Sequence, residues 1–394
     1  MKPLELYIHI PFCISKCKYC DFLSAPSSEE ERTDYVKSLC EEIRSYENLA
    51  RAYCVVSIFV GGGTPSILKA SQMESIFNAI KETFLLISNA EITLEINPGT
   101  VDSDKLKCYK NIGINRLSIG LQSADNDELK LLGRIHTYED FLCTYKMARE
   151  EGFSNINVDL MSAVPGQTVE TWEKTLHVVS VLKPEHISAY SLIIEEGTPF
   201  YELYAEQADR NKKAEIERKK LHEKEEKLPL PDEETERQMY WRTKEILEKY
   251  GYHHYEISNY AKEGFACRHN LGYWERMEYL GIGAGASSLL NNRRWMQSEN
   301  VRTFAEESKE RMEEAELLTE TEQMEEFMFL GLRKMEGVSK TEFQRQFQVL
   351  IDEIYGKVTA ELCQEGLLEE EGDFVRLTER GIDISNYVMS EFLM

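Results

Sequence analysis

Short apolar, β-branched runs alternate with helix-length amphipathic stretches through the first half of the chain. The strand-like runs are Leu4–Ile10, Val55–Val60, Ile92–Ile96, Arg116–Leu121, Asn155–Leu160 and His186–Leu192. Apolar residues recur at helical spacing between them, over Glu30–Tyr46, Ser71–Phe84, Ser103–Asn111, Tyr138–Glu150 and Val169–Leu182. Alternation of this kind predicts parallel strands joined by right-handed helical crossovers. Six such units within residues 1–205 are too few for a closed eight-unit barrel, which takes about 250 residues. A partial (β/α)6 barrel fits the pattern, and an open, doubly wound sheet fits the periodicity equally well.

The pattern changes after Thr198-Pro199. Residues 206–231 are charge-rich without a sustained apolar stripe and end at Leu228-Pro229-Leu230-Pro231, which reads as an exposed insertion. Asp232 opens a helix with an acidic first turn and a stop at Gly251. A strand over Tyr252–Ile257 follows, then a glycine-rich segment, within a connecting region over 232–310. Residues 311–394 read as three helices, two short strands around Phe374-Val375-Arg376 and a final helix, the order of a winged-helix-like domain.

Composition narrows the function classes. Hydrophobic residues make up 42% and charged residues 29%, as in an ordinary globular protein. No apolar run approaches the roughly 20 residues that span a bilayer, and the start of the chain lacks a basic-then-apolar leader. A formal charge of −24 argues against nucleic acid or an anionic membrane as the main partner. Nine irregularly spaced cysteines do not read as a secreted disulfide framework, so a reducing, cytoplasmic setting is expected.

The sharpest chemistry lies at Cys13-x3-Cys17-x2-Cys20, directly after the first strand. Three thiolates can hold three irons of a 4Fe-4S cluster and leave the fourth open to a small molecule. A zinc site is the alternative, but it usually takes a second tightly spaced Cys/His pair. Cys40, Cys54, Cys108, Cys143, Cys267 and Cys363 stand singly. The spacing within HIPFC…YCDF resembles the radical S-adenosylmethionine superfamily, whose open iron chelates the methionine moiety of that cofactor and whose fold is the six-stranded partial barrel.

That resemblance implies further site residues. Tyr7 and Tyr19 match positions beside the cluster and cofactor. Gly61-Gly62-Gly63-Thr64-Pro65 matches a cofactor-binding GGGTP turn, with Gly62, Gly63 and Thr64 as contacts; by itself the triplet could be only a tight turn. No Gly-Lys-Ser/Thr follows, which excludes a P-loop. Glu95 and Gln122 match cofactor-contacting positions, and a carboxylate in a barrel mouth needs a cationic partner. Arg134 could pair with the methionine carboxylate, and Asp159 could accept from the ribose hydroxyls. Taken singly, each of these four could be a structural ion pair or a loop cap. Their order at successive strand ends, where ligands of parallel α/β folds collect, favours cofactor contact. Ile193 is the candidate apolar wall for adenine.

The stretches FVGGGTPS, RLSIGLQS, DLMSAVPGQT and CRHNLGYWERMEYLGIGAGASS extend the resemblance to the coproporphyrinogen-oxidase-like group nearly end to end. Its oxidase branch, which acts in porphyrin biosynthesis, carries an N-terminal extension and an extra cysteine two positions past the third ligand. Here that position is Phe22, and three residues precede Leu4. The chain therefore resembles the heme-chaperone branch, which implies heme as cargo, a heme-acceptor protein as partner, and a cluster-dependent homodimer as one available state. In His269-Asn270-x2-Tyr273-Trp274, His269 is the candidate axial ligand, with Tyr273 and Trp274 lining the pocket and Cys267 as a second candidate ligand. Packing at a domain junction is the competing explanation for these residues. Ser287 stands where relatives of this group often carry histidine. Two functions stay open at this point: heme transfer, and oxidative decarboxylation of coproporphyrinogen III. A scaffold with a purely structural metal ranks below both, because it would have no use for the polar series at the strand ends.

Overall fold

The computed structural model describes residues 1–208 and 228–394; most of the charged insertion, 209–227, lies outside the described residues. Strands β1 (Lys2–Ile10), β2 (Tyr53–Gly62), β3 (Leu86–Ile96), β4 (Arg116–Gln122), β5 (Ile156–Ser162) and β6 (His186–Ser191) pair in parallel and in strict chain order. A doubly wound sheet reverses its strand order at a switch point. Sequential order with right-handed crossovers keeps every helix on one face, as in a barrel. The strands alternate: Leu4, Leu6, Ile8 and Ile10 of β1 and Leu117, Ile119 and Leu121 of β4 join the main core, while Glu5 and His9 of β1 and Arg116, Ser118 and Gln122 of β4 are buried on the opposite face. In β4 every residue is buried.

The crossover helices begin where side chains can take up the free amides of a first turn. Thr137 and Asp140 form a capping box for Tyr138–Glu150, and Thr168 and Thr171 form one for Val169–Val181. Asp232 caps Glu233–Lys249.

Residues 233–317 lengthen the sheet at both edges. Strand β8 (Asn259–Ala261) pairs antiparallel with β6, and β7 (His253–Glu256) pairs antiparallel with β8 at the sheet edge. At the other edge β9 (Tyr279–Ile282) pairs in parallel with β1, followed by antiparallel β10 (Ser287–Leu290), β11 (Arg293–Met296) and β12 (Glu316–Leu317). The result is a mixed sheet of 12 strands among the described residues. Strands β9 to β12 escape sequence reading because runs of two to four residues carry too little periodicity.

Helix Glu233–Lys249 contributes Met239, Ile246 and Leu247 to the main core. It is fixed there by fully buried Trp172, whose Nε1 donates to Thr243 Oγ1 at 2.8 Å and Met239 O at 3.2 Å. Just before it, Pro229 O accepts from Gly166 N, and Leu230 packs beside Leu192 and Phe200, so the end of the insertion sits against the barrel rim.

Helices Glu320–Gly331, Lys340–Phe347 and Ile351–Gln364 enclose a second core with a three-stranded sheet made by Val338–Ser339, Leu368–Glu371 and Phe374–Leu377. Phe343, Tyr355, Val375 and Phe392 are central to it, giving the winged-helix-like unit expected from the sequence. Main-chain bonds from Ile257 N to Arg333 O and from Met335 N to Tyr255 O join this unit to the sheet. No helix among the described residues is long and apolar enough to cross a membrane.

Thr243→Val keeps the side-chain volume but removes the better partner of the Trp172 indole. Urea unfolding should show a loss of about 1 kcal/mol, the scale of one buried hydrogen bond. An unchanged midpoint would mean that this helix is not anchored through Trp172.

Candidate cofactor cleft and aromatic cavity

The cysteine loop leaves β1 and is tied down on three sides. Cys13 N donates to Ala25 O, Lys18 N to Leu132 O, and Phe200 N to Lys18 O. Opposite it stands the turn after β2. An added Cβ on Gly63 would lie 2.6 Å from Phe12 O, and Gly62 has φ +107° with His9 where a side chain would go. Both glycines are therefore required by the close approach of the turn to the cysteine loop. The amides of Gly63 and Thr64 already donate to Ile10 O and Phe12 O.

Cys13, Cys17 and Cys20 are each partly exposed on one cleft, together with Tyr19, Gly62, Gly63, Thr64, Glu95, Gln122, Arg134 and Asp159. Among the described residues no three His, Cys, Asp or Glu side chains converge on a single ion. Thr64 Oγ1 lies 3.5 Å from Cys13 Sγ, and Arg134 Nη1 lies 3.5 Å from Cys17 Sγ. The Arg134 Nη2 group donates to Gly120 O and to Asn97 Oδ1, both at 2.6 Å. The fork is thus anchored on the strand ends and the loop, and only Nε is buried without a partner. Asn97 Nδ2 in turn donates to Thr64 Oγ1 at 2.8 Å.

The acidic groups lie deeper. Asp159 accepts from Asn157 Nδ2 at 2.7 Å and Ser118 Oγ at 3.1 Å. Glu95 Oε2 accepts from Gly62 N at 3.2 Å, and no cation forms an ion pair with Glu95 among the described residues. Desolvation, with Asp159 nearby, raises its pKa from 4.5 to about 8. Gln122, 4% exposed and held at φ +70°, places Oε1 where no protein donor reaches it.

Two expected contacts lie elsewhere. Ile193 is 66% exposed past the end of β6 and is not part of the cleft. Tyr7 faces the next cavity, where its hydroxyl lies 3.0 Å from His9 Nδ1. Asn97 and Tyr190 belong to the cleft but escaped sequence reading. An Asn-Pro pair by itself signals only a turn, and Tyr190, whose hydroxyl is 3.5 Å from Gln122 Nε2, sits within an otherwise ordinary strand.

Helix Arg268–Trp274 carries the second motif. Tyr273 and Trp274 line a cavity of about 660 Å³ with Tyr7, Leu23, Tyr279 and Phe329. His269 does not reach it. It is 1% exposed, with Nδ1 2.8 Å from Ser57 Oγ and Nε2 3.2 Å from Tyr273 OH, and its ring is stacked on Phe59. Ser57 Oγ donates to Glu5 Oε1, so a neutral imidazole satisfies the chain by donating from Nδ1 and accepting at Nε2. Burial, and then Arg116, pull its pKa down to about 3. In this geometry both ring nitrogens face protein partners, so the cavity wall is made by Tyr273 and Trp274 while the expected axial ligand lies beneath them. Cys267 is likewise fully buried against Glu91, and burial pushes its thiol up to about 12.

Residues 7–179 match the radical SAM superfamily and residues 318–384 match the HemN C-terminal domain. A protein of Lactococcus lactis named heme chaperone HemW is 36% identical over 100% of this chain and 98% of its own length. The chain belongs to the HemW family. Its Bacillus subtilis member is 36% identical over 98% of both chains, and its Escherichia coli member 33% identical over 100% of this chain and 99% of the relative. The solved structure of Escherichia coli coproporphyrinogen III oxidase, HemN, superposes with a TM-score of 0.82 at 22% identity, covering 100% of this chain and 90% of that one. At that identity the likeness speaks for the fold.

The cleft of this HemW-family chain suits the cofactors of the superfamily. Its unpaired Gln122 Oε1 and Arg134 Nε are a free acceptor and donor, and Glu95 is a carboxylate without a cation, which suits a positively charged ligand.

A carboxyl group protonated more readily in the folded chain than in the unfolded one makes stability fall as pH rises between the two pKa values, here from 4.5 to about 8. Glu95→Gln removes that contribution. The unfolding free energy of the cofactor-free chain, from urea titrations, should therefore fall less between pH 6 and pH 8 in the variant, by on the order of 1 to 2 kcal/mol. Equal falls in both chains would contradict the raised value.

Proposed function

We propose that this chain is a heme chaperone that binds heme, a 4Fe-4S cluster and S-adenosylmethionine and passes the heme to an acceptor protein. The observation that carries the reading is end-to-end similarity to proteins named heme chaperone HemW, at 36% identity with the same segment order throughout. Phe22 supports it, because the oxidase branch is expected to carry a cysteine at that position. We assign the protein to the cytoplasm, with neither nucleic acid nor membrane as partner and with a homodimer as one assembly to test.

In this reading Cys13, Cys17 and Cys20 hold three irons of the cluster. Gly62, Gly63, Thr64, Glu95, Gln122 and Asp159 surround S-adenosylmethionine, with Tyr19 beside the cluster. Arg134 holds the cysteine loop against the strand ends through Gly120 O and Asn97. When bound, a reduced cluster supplies an electron to the sulfonium cofactor. The chain's share is to orient these groups and limit water, through a loop pinned at Ala25, Leu132 and Phe200. Heme lies against Tyr273 and Trp274, and His269 acts beneath them by holding the Tyr273 hydroxyl.

Anaerobic reconstitution tests this directly. Iron and sulfide should reach four each per chain, as a 4Fe-4S cluster requires. Bound heme should pass stoichiometrically to an apo-acceptor. Repeated turnover of coproporphyrinogen III with consumption of S-adenosylmethionine would establish the oxidase reading instead. Cys17→Ser should lower bound iron and sulfide sharply while heme binding persists.

His269→Ala leaves the Tyr273 hydroxyl and Ser57 Oγ without the imidazole that joins them. Calorimetry should show a lower melting temperature. Heme affinity should drop by about tenfold, as for lost positioning groups around a site, without a shift of the Soret band. A Soret shift to that of a chain lacking its axial ligand would restore His269 as the ligand.

A further inference from the structure

The cavity beside Tyr273 and Trp274 has a cationic corner closed by the C-terminal unit. Glu326, on helix Glu320–Gly331 and 5% exposed, accepts from Arg276 Nε at 2.6 Å and pairs with Arg294 Nη1 at 2.6 Å. All three side chains line the cavity with Tyr273, Trp274 and Tyr279. Two guanidinium groups share one carboxylate, so this corner keeps a surplus positive charge in a chain of net charge −24. Asp21 and Glu299 also line the cavity and carry the opposite sign. Arg276 follows the Tyr273-Trp274 helix at φ +59°, a left-handed conformation that costs a non-glycine residue energy. Its Nη2 also reaches Asn292 Oδ1 at 3.2 Å.

We propose that Arg276 and Arg294 are the propionate-binding residues of this cavity, and that Glu326 is an internal carboxylate which the ligand displaces. The inference rests on the heme-chaperone reading and specifies where its cargo's carboxylates go. A planar tetrapyrrole against Tyr273 and Trp274 would present its propionates as carboxylates of the same charge as Glu326. The guanidinium forks can pair with one or the other. Seating the ligand therefore loosens the ion pair that joins β11 and the motif helix to the C-terminal unit, and release of heme restores it. Loading and domain contact become linked equilibria.

The two sides of the pair have opposite expected effects. Arg294→Gln, at a side chain 40% exposed and so tolerant of exchange, should weaken heme binding by about tenfold, the scale of one charged hydrogen bond. Glu326→Gln removes the competitor and should tighten it several-fold. A purely structural pair would shift both variants in the same direction. The ligand offers a control that leaves the fold untouched. Wild-type protein should bind heme about tenfold more tightly than heme dimethyl ester, and Arg294→Gln should bring the two affinities together. Equal preference for heme over its ester in the wild type and Arg294→Gln, or tightening absent in Glu326→Gln, overturns this inference while heme binding by the wild type stands. A wild-type chain that binds no heme overturns the chaperone reading as well.

Discussion

One guanidinium couples the cysteine loop to the barrel. Arg134 reaches the end of β4 at Gly120, the turn after β3 at Asn97, and Cys17 in the loop after β1. Asn97 continues the link to Thr64, which stands beside Cys13. Three loops that are distant in sequence are thereby placed relative to two of the three thiols by a single rigid fork. A planar group with fixed donor directions does this better than a lysine, whose ammonium could satisfy the same charge without fixing the angles. The close contact of Gly63 with Phe12 is the second half of the constraint, because any side chain there would push the turn away from the cysteine loop.

The buried carboxyl groups of this part of the fold are completed unevenly. Glu5, Glu42 and Glu95 are each raised by burial, to about 9, about 8 and about 8. The environments differ in how they are completed. Glu42 accepts from Gly283 N, Gln297 Nε2 and Ser308 Oγ, so both of its oxygens are satisfied and the first helix is tied to the β9 edge. Glu5 is held by Ser57 but leaves Oε2 without a partner beneath the motif helix. Glu95 has one main-chain donor and opens on the cleft. A finished network reads as structure, and an unfinished one at a cleft reads as a place for a ligand.

Much of this was legible in the sequence because strong periodicity and strong chemistry coincide. Five of the six strands and all five crossover helices fall within two residues of their expected bounds, and Tyr138–Glu150 agrees at both ends, whereas β3 begins at Leu86, six residues before its expected start. The strand-end polar series is legible for the same reason: parallel topology sends each such residue to one rim. What could not be read depends on depth and direction. His269 has the composition of a ligand, yet one turn of helix carries it under Tyr273 instead of beside it. Ile193 follows the last barrel strand, but the chain has already turned outward there. The Arg276–Glu326–Arg294 cluster joins residues as much as 50 positions apart across a domain contact, with no local pattern to reveal it.

Phe22 gains a physical meaning beyond its use in telling two branches apart. It lines both the cysteine cleft and the larger aromatic cavity and is 61% exposed. A cysteine at that position would put a reactive thiol between the two compartments; phenylalanine puts an inert apolar ring there. Next to it, Leu23 O receives the His9 imidazole, and His9 connects to Tyr7 in the cavity wall. The two compartments are therefore neighbours through Phe22 and the end of β1, and each has its own mixed set of charged groups: Glu95, Asp159 and Arg134 on the cleft, Arg276, Arg294, Glu326, Asp21 and Glu299 on the cavity. In the proposed reading a sulfonium cofactor would meet Glu95, which has no ion-pair partner among the described residues, and heme propionates would meet two guanidinium groups that share one carboxylate, so each ligand would complete what its own compartment leaves unfinished.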